Sequence, residues 1–294
     1  ITEPFLGLFT QGMVCHETYK DENNLWLNPN EVETSNGNNF YIKGNPSKKV
    51  QVGASESMSK SKKNTIDPEE MITNYGADAV RLFILSDSPP EKDVQWSDQG
   101  MQAAYKFINK LWLVHENIKK EIQSTKNNND KKENSAEKQL QIFTNQMVDK
   151  VTRNLDNFHY NVIIANFHET YNFFSKLKTT DISKKILLEN YLKILTIMNP
   201  VMPHFASECI AEIQKEDVSK WPTVNKDTLE KESLEIVVQL NGKKRGLVSC
   251  DKNIDEKQLI NMVKSDNQYK KYFDDKTIIK TIYVKNRLIN FILK

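Results

Sequence analysis

A short stretch of serines and lysines, residues 57–64, carries the side chains needed to bind phosphate groups. Its sequence is Ser-Met-Ser-Lys-Ser-Lys-Lys-Asn, so hydroxyl and ammonium groups are interleaved. Hydroxyls donate hydrogen bonds to phosphate oxygens, and ammonium groups also neutralise their charge. The Gly-x4-Gly-Lys-Ser/Thr spacing of a Walker loop is absent. On composition alone such a stretch is more often a solvated loop than a phosphate-binding one. The adjoining sequence is therefore needed to distinguish the two.

The residues that follow predict a helix that would hold this loop at one end. Asp67 is a typical N-cap residue, Pro68 takes the first helical position, and Glu70 stands where a capping box is closed. The helix is predicted to end near Gly76. A mobile, positively charged loop that leads into a helix is suited to closing over a polyphosphate.

The neighbouring sequence gives the loop a family resemblance. Residues 57–61 resemble the Met-Ser-Lys-Ser signature loop of class I aminoacyl-tRNA synthetases, which closes on ATP during amino-acid activation. Residues 74–83, which contain Gly-Ala-Asp, resemble the segment after that loop. Residues 88–98 contain Pro-Pro-Glu-Lys-Asp, which is similar to the leucine enzymes and not to the isoleucine, valine or methionine enzymes. Further stretches that resemble leucyl-tRNA synthetases are residues 3–5, 10–14 and 238–243.

This resemblance extends through nearly the whole chain and implies three domains. Residues 1–96 would be the C-terminal end of a Rossmann-type α/β catalytic domain that carries the signature loop. Residues 97–222 would form an α-helical bundle of the anticodon-binding type, and residues 233–294 a small α+β domain that binds tRNA. The chain is expected to be the C-terminal portion of a leucyl-tRNA synthetase, either a fragment or the smaller chain of a split enzyme.

The hydrophobic pattern agrees with a bundle in the middle of the chain. From Ser97, a predicted N-cap, apolar residues recur at i, i+3, i+4 and i+7, which indicates a long amphipathic helix. Tyr105 and Trp112 lie in this apolar stripe and are expected in the core. Further helices are predicted at residues 136–153, 161–178, 182–198 and 204–214, and such a series favours a bundle.

The last sixty residues change to the period of two that strands show. Alternating apolar residues along 234–240 predict a strand, and Asn241-Gly242 predicts a two-residue turn into the next strand. A helix is predicted at 255–264, and two more strands at 277–285 and 288–293. The pattern indicates a small α+β module.

The resemblance assigns roles within the loop. Lys60 matches the lysine that stabilises charge on the leaving pyrophosphate, so it is the expected catalytic residue. ATP, accompanied by Mg²⁺, and leucine are the expected substrates. The family signature opens with lysine where this chain has Ser57, so activation is expected to be weaker or to use Lys62 instead. The expected ATP-binding residues are Ser57, Met58, Ser59, Lys60 and Ser61.

Positive charge is concentrated near the C-terminus. The formal net charge of the chain is only +2, yet residues 233–294 contain 13 Lys and Arg against 7 Asp and Glu. A basic segment of this kind is typical of contact with a nucleic-acid backbone. The resemblance implies contact with tRNA-Leu, and the alternative is an ordinary lysine-rich surface. The expected tRNA-binding residues are Lys243, Lys244, Arg245, Lys285 and Arg287.

Other features restrict the location and the cofactors. Cys15, Cys209 and Cys250 lie far apart and form no Cys-x-x-Cys pair, which fits a reducing cytoplasm. The five histidines show no ligand-like spacing with them, so no protein-bound metal is predicted. No run approaches the roughly 20 apolar residues of a membrane helix, so no membrane association is expected.

The sequence contains no His-x-Gly-His motif, which is the family's other phosphate-contacting element. The chain is therefore expected to be inactive alone and to need the N-terminal catalytic and editing portion of the enzyme as a partner. The alternative is a non-catalytic tRNA-binding module derived from such an enzyme. Lys60 beside a well-capped helix favours catalysis, whereas Ser57 and the absent motif favour the alternative.

Overall fold

The computed structural model describes eight ranges of the chain, and these form two compact units. The ranges are residues 4–5, 7–35, 39–124, 135–214, 220–224, 233–251, 254–273 and 276–294. The units are residues 1–224 and 225–294. Within these ranges, no helix combines the length and the apolar character needed to cross a bilayer. The boundary expected near residue 97 stays a prediction.

The first unit begins with two small sheets. In one sheet, β1 (Val14–Lys20) is antiparallel to β6 (Gln51–Ser57) along one edge. The other edge of β1 pairs with β2 (Trp26–Leu27) and, in parallel, with β7 (Val94–Gln95). The second sheet is antiparallel and consists of β3 (Val32–Thr34), β4 (Phe40–Ile42) and β5 (Asn45–Lys49).

Two helices follow the signature loop, α1 (Pro68–Tyr75) and α2 (Ala77–Ser86). Asp67 caps α1 as predicted, because its carboxylate accepts the Glu69 backbone N–H at 2.9 Å. The predicted capping box with Glu70 is wrong: the Asp67 side chain bonds at the second helical position, not at the third. Gly76, with φ 82°, separates the two helices, as only glycine does readily.

A bundle of five helices occupies residues 98–213 of the described chain. These helices are α3 (Asp98–Gln123), α4 (Ser135–Asp156), α5 (Tyr160–Lys176), α6 (Lys184–Met198) and α7 (Pro203–Ile213). Ser97 caps α3 as predicted, since its hydroxyl accepts the Gly100 backbone N–H at 3.2 Å. Apolar side chains of α2 and of all five helices share one core, which includes Leu82, Leu140, Phe167, Ile194 and Ala206.

The predicted core position of Tyr105 is wrong. The residue is 41% exposed, and its ring forms a T-shaped pair with the Tyr75 ring, with the centroids 5.7 Å apart. Phe107 is buried instead and packs against Tyr171 of α5. Residues two apart on a helix point about 200° apart, so burial of Phe107 turns Tyr105 outward. Trp112 is half-buried against the core.

The second unit is a four-stranded sheet covered by two helices. Its elements are β8 (Ser233–Leu240), β9 (Lys243–Asp251), α8 (Glu256–Ser265), α9 (Asn267–Lys270), β10 (Ile278–Val284) and β11 (Leu288–Leu293). The strand order is β10-β11-β8-β9, and only β11 and β8 are parallel among these strands. Asn241 and Gly242 both have positive φ, 48° and 78°, as the predicted turn requires.

Candidate functional site

Two stretches that are far apart in the sequence meet at the base of the signature loop. The Gly12 N–H donates to the Pro90 carbonyl at 2.8 Å, and the Met13 N–H donates to the Asp93 carboxylate at 2.8 Å. The Val94 N–H returns a bond to the Met13 carbonyl at 2.9 Å. Both stretches, residues 10–14 and 88–98, are among those that resemble leucyl-tRNA synthetases. The structure therefore brings the two resembling stretches into direct contact.

The signature loop itself is a compact turn. The Met58 N–H donates to the Val14 carbonyl at 3.2 Å, which joins the start of the loop to β1. A single 3₁₀ turn, Lys60–Lys62, follows. Lys63 then takes a left-handed backbone conformation, with φ 55°. The backbone is thus defined on both sides of Lys60.

The Asn64 side chain fixes this turn through hydrogen bonds to the backbone. This side chain is fully buried. The side-chain oxygen accepts the Ser59 N–H at 2.8 Å, and the side-chain amide donates to the carbonyls of His16 and Glu56 at 3.2 and 3.3 Å. Buried polar groups are costly without partners, so these bonds favour a single loop conformation. Sequence reasoning gave Asn64 no role, because an asparagine after two lysines is equally typical of a solvated turn.

The two lysines of the 3₁₀ turn have different electrostatic surroundings. The Lys62 ammonium group pairs with the Glu56 carboxylate. Lys60 is exposed and forms no ion pair with any residue that the structure describes. The hydroxyls of Ser59 and Ser61 hydrogen-bond to each other at 2.7 Å. Lys60 is therefore the better placed of the two to meet a phosphate, and the pair with Glu56 disfavours the expected replacement role of Lys62.

A cavity of about 740 Å³ lies beside the loop. Of the described residues that line it, Lys60 alone carries an ammonium group, whereas Glu33, Asp67, Glu70 and Asp98 contribute carboxylates. This surplus of negative charge repels a polyphosphate.

The second helix after the loop, α2, is fixed to the bundle by two polar side chains. The Asp78 carboxylate accepts backbone N–H groups at the start of α7, with Phe205 at 2.6 Å. The Arg81 guanidinium donates to the carbonyls of Val201 and Pro200 at 3.0 and 2.7 Å. Both residues belong to the 74–83 segment of the family resemblance. The segment therefore connects the loop region to the turn between α6 and α7.

A buried histidine forms a second polar cluster inside the bundle. His115 is fully buried, with one ring nitrogen 3.2 Å from the Tyr191 hydroxyl and the other 2.8 Å from the Glu212 carboxylate. Burial lowers the pKa of His115, and the hydrogen bond to Glu212 opposes that shift. His115, Glu116 and Glu212 have a metal-ligand-like spacing. However, Lys119 bonds both carboxylates at 2.8 Å, so an ammonium group already fills the place of a cation.

The five expected tRNA-binding cations lie at two places on the second unit. Lys243, Lys244 and Arg245 begin β9, whereas Lys285 and Arg287 lie in the turn between β10 and β11. β11 begins just after Arg287 and, because it is parallel to β8, ends beside the turn that leads into β9. Its six residues span roughly 20 Å. The structure thus places residues 243–245 together and separates Lys285 and Arg287 from them. The role of all five residues in tRNA binding stays a prediction.

Comparisons with known proteins agree with the loop and the bundle. Residues 50–97 match the family model of tRNA synthetases class I (I, L, M and V). Residues 137–260 match the model of the anticodon-binding domain of tRNA ligase. These matches define the class: the chain carries a segment of a class I tRNA synthetase and an anticodon-binding domain.

Its relatives over the whole chain are leucine–tRNA ligases. The enzyme of Orientia tsutsugamushi (strain Boryong) is 36% identical over 298 residues, which cover 100% of this chain and 34% of the relative. The enzyme of Granulibacter bethesdensis is 35% identical over 302 residues, with the same two shares. The chain is therefore a homologue of leucine–tRNA ligases and spans about a third of their length.

A solved structure supports the fold. The ternary complex of the Agrobacterium radiobacter K84 agnB2 LeuRS with tRNA and LeuAMS matches with a TM-score of 0.63 at 24% identity. The match covers 81% of this chain and 32% of that one. The class I synthetase fold with an anticodon-binding domain is thus seen in the coordinates as well as in the sequence.

Proposed function

We propose that this chain supplies the ATP-phosphate loop and the tRNA-binding domains of a leucine–tRNA ligase, which activates leucine with ATP and transfers it to tRNA-Leu. The observation that carries the proposal is the environment of Lys60. It is exposed and lacks a carboxylate partner among the described residues, on a turn that the buried Asn64 holds in place. The relatives named leucine–tRNA ligase support the choice of amino acid.

Lys60 fits the electrostatic demand of the reaction. The leucine carboxylate attacks the α-phosphorus of ATP, the bond to the bridging oxygen breaks, and pyrophosphate leaves with the electron pair. A cation near the pyrophosphate stabilises the charge that builds up there, and a contact stronger in the transition state than in the bound substrate raises turnover. The Ser59 and Ser61 hydroxyls can exchange their mutual hydrogen bond for bonds to phosphate oxygens. Mg²⁺ would enter with ATP as part of the substrate.

We further propose that activation requires the N-terminal portion of the enzyme. The chain contains no His-x-Gly-His motif, and its relatives are about three times as long as the part that it matches. A single exposed lysine cannot by itself hold ATP and leucine in line for attack, since positioning supplies much of the rate. The missing contacts would come from that portion.

Leucine-dependent ATP–pyrophosphate exchange tests the proposal. The chain is assayed alone, with a separate polypeptide that carries the His-x-Gly-His half of a leucine–tRNA ligase, and with that polypeptide's own active-site histidines replaced by alanine. We expect exchange only when both intact parts are present. Exchange by the chain alone would contradict the need for a partner. If no combination shows exchange while the chain still binds tRNA, the alternative of a non-catalytic tRNA-binding module, which Ser57 in place of lysine favours, would be supported.

A further inference from the structure

The second unit contains a cavity of about 200 Å³, and among the described residues that line it every charged one is basic. Lys243 and Arg245 contribute from β9, and Lys276 from the segment before β10. Tyr272 adds an aromatic ring. The volume is several times the roughly 30 Å³ that a water molecule occupies in the liquid, so the cavity has room for a phosphate group. Sequence reasoning selected the two β9 residues and missed the other two, which are about thirty positions away.

A β-bulge sets the position of Arg245. Gly246 pairs with Val238 and Lys244 pairs with Gln239, which leaves Arg245 as the extra residue of β9. Bulges change the direction of a side chain and are frequent at functional sites. The Arg245 guanidinium lies over the Tyr272 ring, 5.1 Å from its centroid. The guanidinium is therefore supported by a ring and is not a freely moving surface charge.

Hydrogen bonds hold one rim of the cavity, and its described lining residues carry a net positive charge. The Asn241 side chain accepts the Leu293 N–H at 2.8 Å and donates to the Leu293 carbonyl at 3.3 Å, which fixes the rim. Across residues 233–251, 254–273 and 276–294, no ion pair neutralises Lys243, Arg245 or Lys276. Three cations beside one another repel, so an anion is the complementary ligand.

We propose that this cavity binds one phosphodiester group of RNA, with Arg245 as the residue that determines its geometry. The proposal rests on the tRNA-binding part of the proposed function and names a specific site for it. A planar guanidinium can donate two parallel hydrogen bonds to one phosphate, which an ammonium group cannot do. Because the Tyr272 ring already orients the guanidinium, less side-chain entropy is lost on binding. Lys243 and Lys276 would flank the phosphate as point charges.

Binding of a labelled tRNA-Leu transcript to the full 294-residue chain, measured by fluorescence anisotropy over a series of KCl concentrations, tests the site. Arg245→Lys keeps the charge and removes the planar fork. We expect its Kd to rise about tenfold with an unchanged salt slope. Arg245→Gln should also lower the slope by about one. Lys280→Gln, a charge loss at an exposed position of β10, is the matched control and should change Kd less than about twofold.

The ring is tested by a double-mutant cycle. Tyr272→Phe keeps the ring and should bind as the wild type does. Tyr272→Leu should weaken binding, and Arg245→Lys should add little in that background, because the two side chains act together. Wild-type affinity for Arg245→Lys, or an equal loss for Lys280→Gln, would overturn the site and leave the proposed function intact. A wild-type chain that does not bind tRNA would overturn the tRNA-binding part of the proposed function together with this site.

Discussion

The Asp78 carboxylate accepts the backbone N–H of Phe205 at 2.6 Å, across 127 positions of the sequence. It also accepts the His204 N–H at 3.3 Å and lies 3.0 Å from a nitrogen of the His204 ring. A carboxylate at the N-terminus of a helix satisfies donors that have no partner within the helix and interacts favourably with the helix dipole. The Asp78 side chain, which belongs to α2, therefore caps the N-terminus of α7, a role that the residue at the N-cap position, Met202, does not fill with its side chain.

Asp78→Asn should destabilise the first unit by about 1–3 kcal/mol. The amide keeps one acceptor oxygen, but its nitrogen would face the N–H groups of α7. Urea unfolding monitored by tryptophan fluorescence measures this loss, since all four tryptophans lie within residues 1–224. Asp87→Asn, at an exposed position just after α2, is the matched control and should change the free energy of unfolding by less than about 0.5 kcal/mol. Equal effects of the two variants would contradict the capping role.

Gly12→Ala should separate the two stretches that meet below the loop. A Cβ atom at residue 12 would lie 2.2 Å from the carbonyl carbon and oxygen of Lys92, which are backbone atoms and cannot easily move. We expect a loss of about 1–3 kcal/mol in the same urea experiment. Gly7→Ala provides the control, because nothing lies within 4 Å of a Cβ atom there. If Gly12→Ala unfolds at the same urea concentration as Gly7→Ala, the close approach of the two stretches is wrong.

Asn64→Ala should loosen the signature loop. The substitution leaves the Ser59 N–H and the carbonyls of His16 and Glu56 without their side-chain partner. The expected cost is about 1–3 kcal/mol of stability, together with faster amide hydrogen exchange at Ser59. Asn74→Ala, at an exposed position of α1, should show neither effect. Unchanged exchange at Ser59 would show that Asn64 does not hold the loop.

His115 should make the stability of the first unit depend on pH. Burial lowers its pKa in the folded state, whereas the unfolded chain takes up the proton near pH 6.5. Stability from the neutral imidazole is therefore complete above that pH and is lost as the pH falls below it. Lys119, which faces the same cluster, keeps its charge on both sides of pH 6.5, because its hydrogen bonds to Glu116 and Glu212 raise its pKa.

Urea unfolding between pH 8 and 5.5 measures the effect of His115. This range lies above the pH at which Glu212 takes up a proton, since its hydrogen bonds to Lys119 and then to His115 lower its pKa. His115→Gln should give a flatter dependence than the wild type, and the exposed His159→Gln should leave the dependence unchanged. A wild-type slope retained in His115→Gln would assign the effect to another group.

Local signals in the sequence were sufficient for much of the fold. Asp67-Pro68 and Ser97 mark helix starts through capping that depends on adjacent residues alone, and Asn241-Gly242 defines a turn for the same reason. The bundle follows from the spacing of apolar residues, although that spacing placed Tyr105 in the core. The direction of Tyr105 depends on the packing of α3 against α5, which the spacing does not contain.

The contacts that build the candidate sites were less accessible from the sequence. The candidate role of Lys60 could be predicted because the loop residues around it are contiguous in the sequence, and that role stays a prediction. The cap that Asp78 provides for α7 and the three bonds of Asn64 join residues that are distant in the sequence or common in ordinary turns. The bulge at Arg245 depends on the pairing register of β8 and β9, and no single residue specifies that register.

The measurement that tests the account most directly is ATP–pyrophosphate exchange by Lys60→Ala and Lys62→Ala, each assembled with the His-x-Gly-His half of a leucine–tRNA ligase. Lys60→Ala should lower turnover by roughly 10²–10³-fold with little change in KM for ATP, because its contact strengthens in the transition state. Lys62→Ala should lower turnover far less, since Glu56 already pairs with that lysine. Full turnover in Lys60→Ala, or equal losses in the two variants, would contradict the assignment of Lys60 as the catalytic lysine.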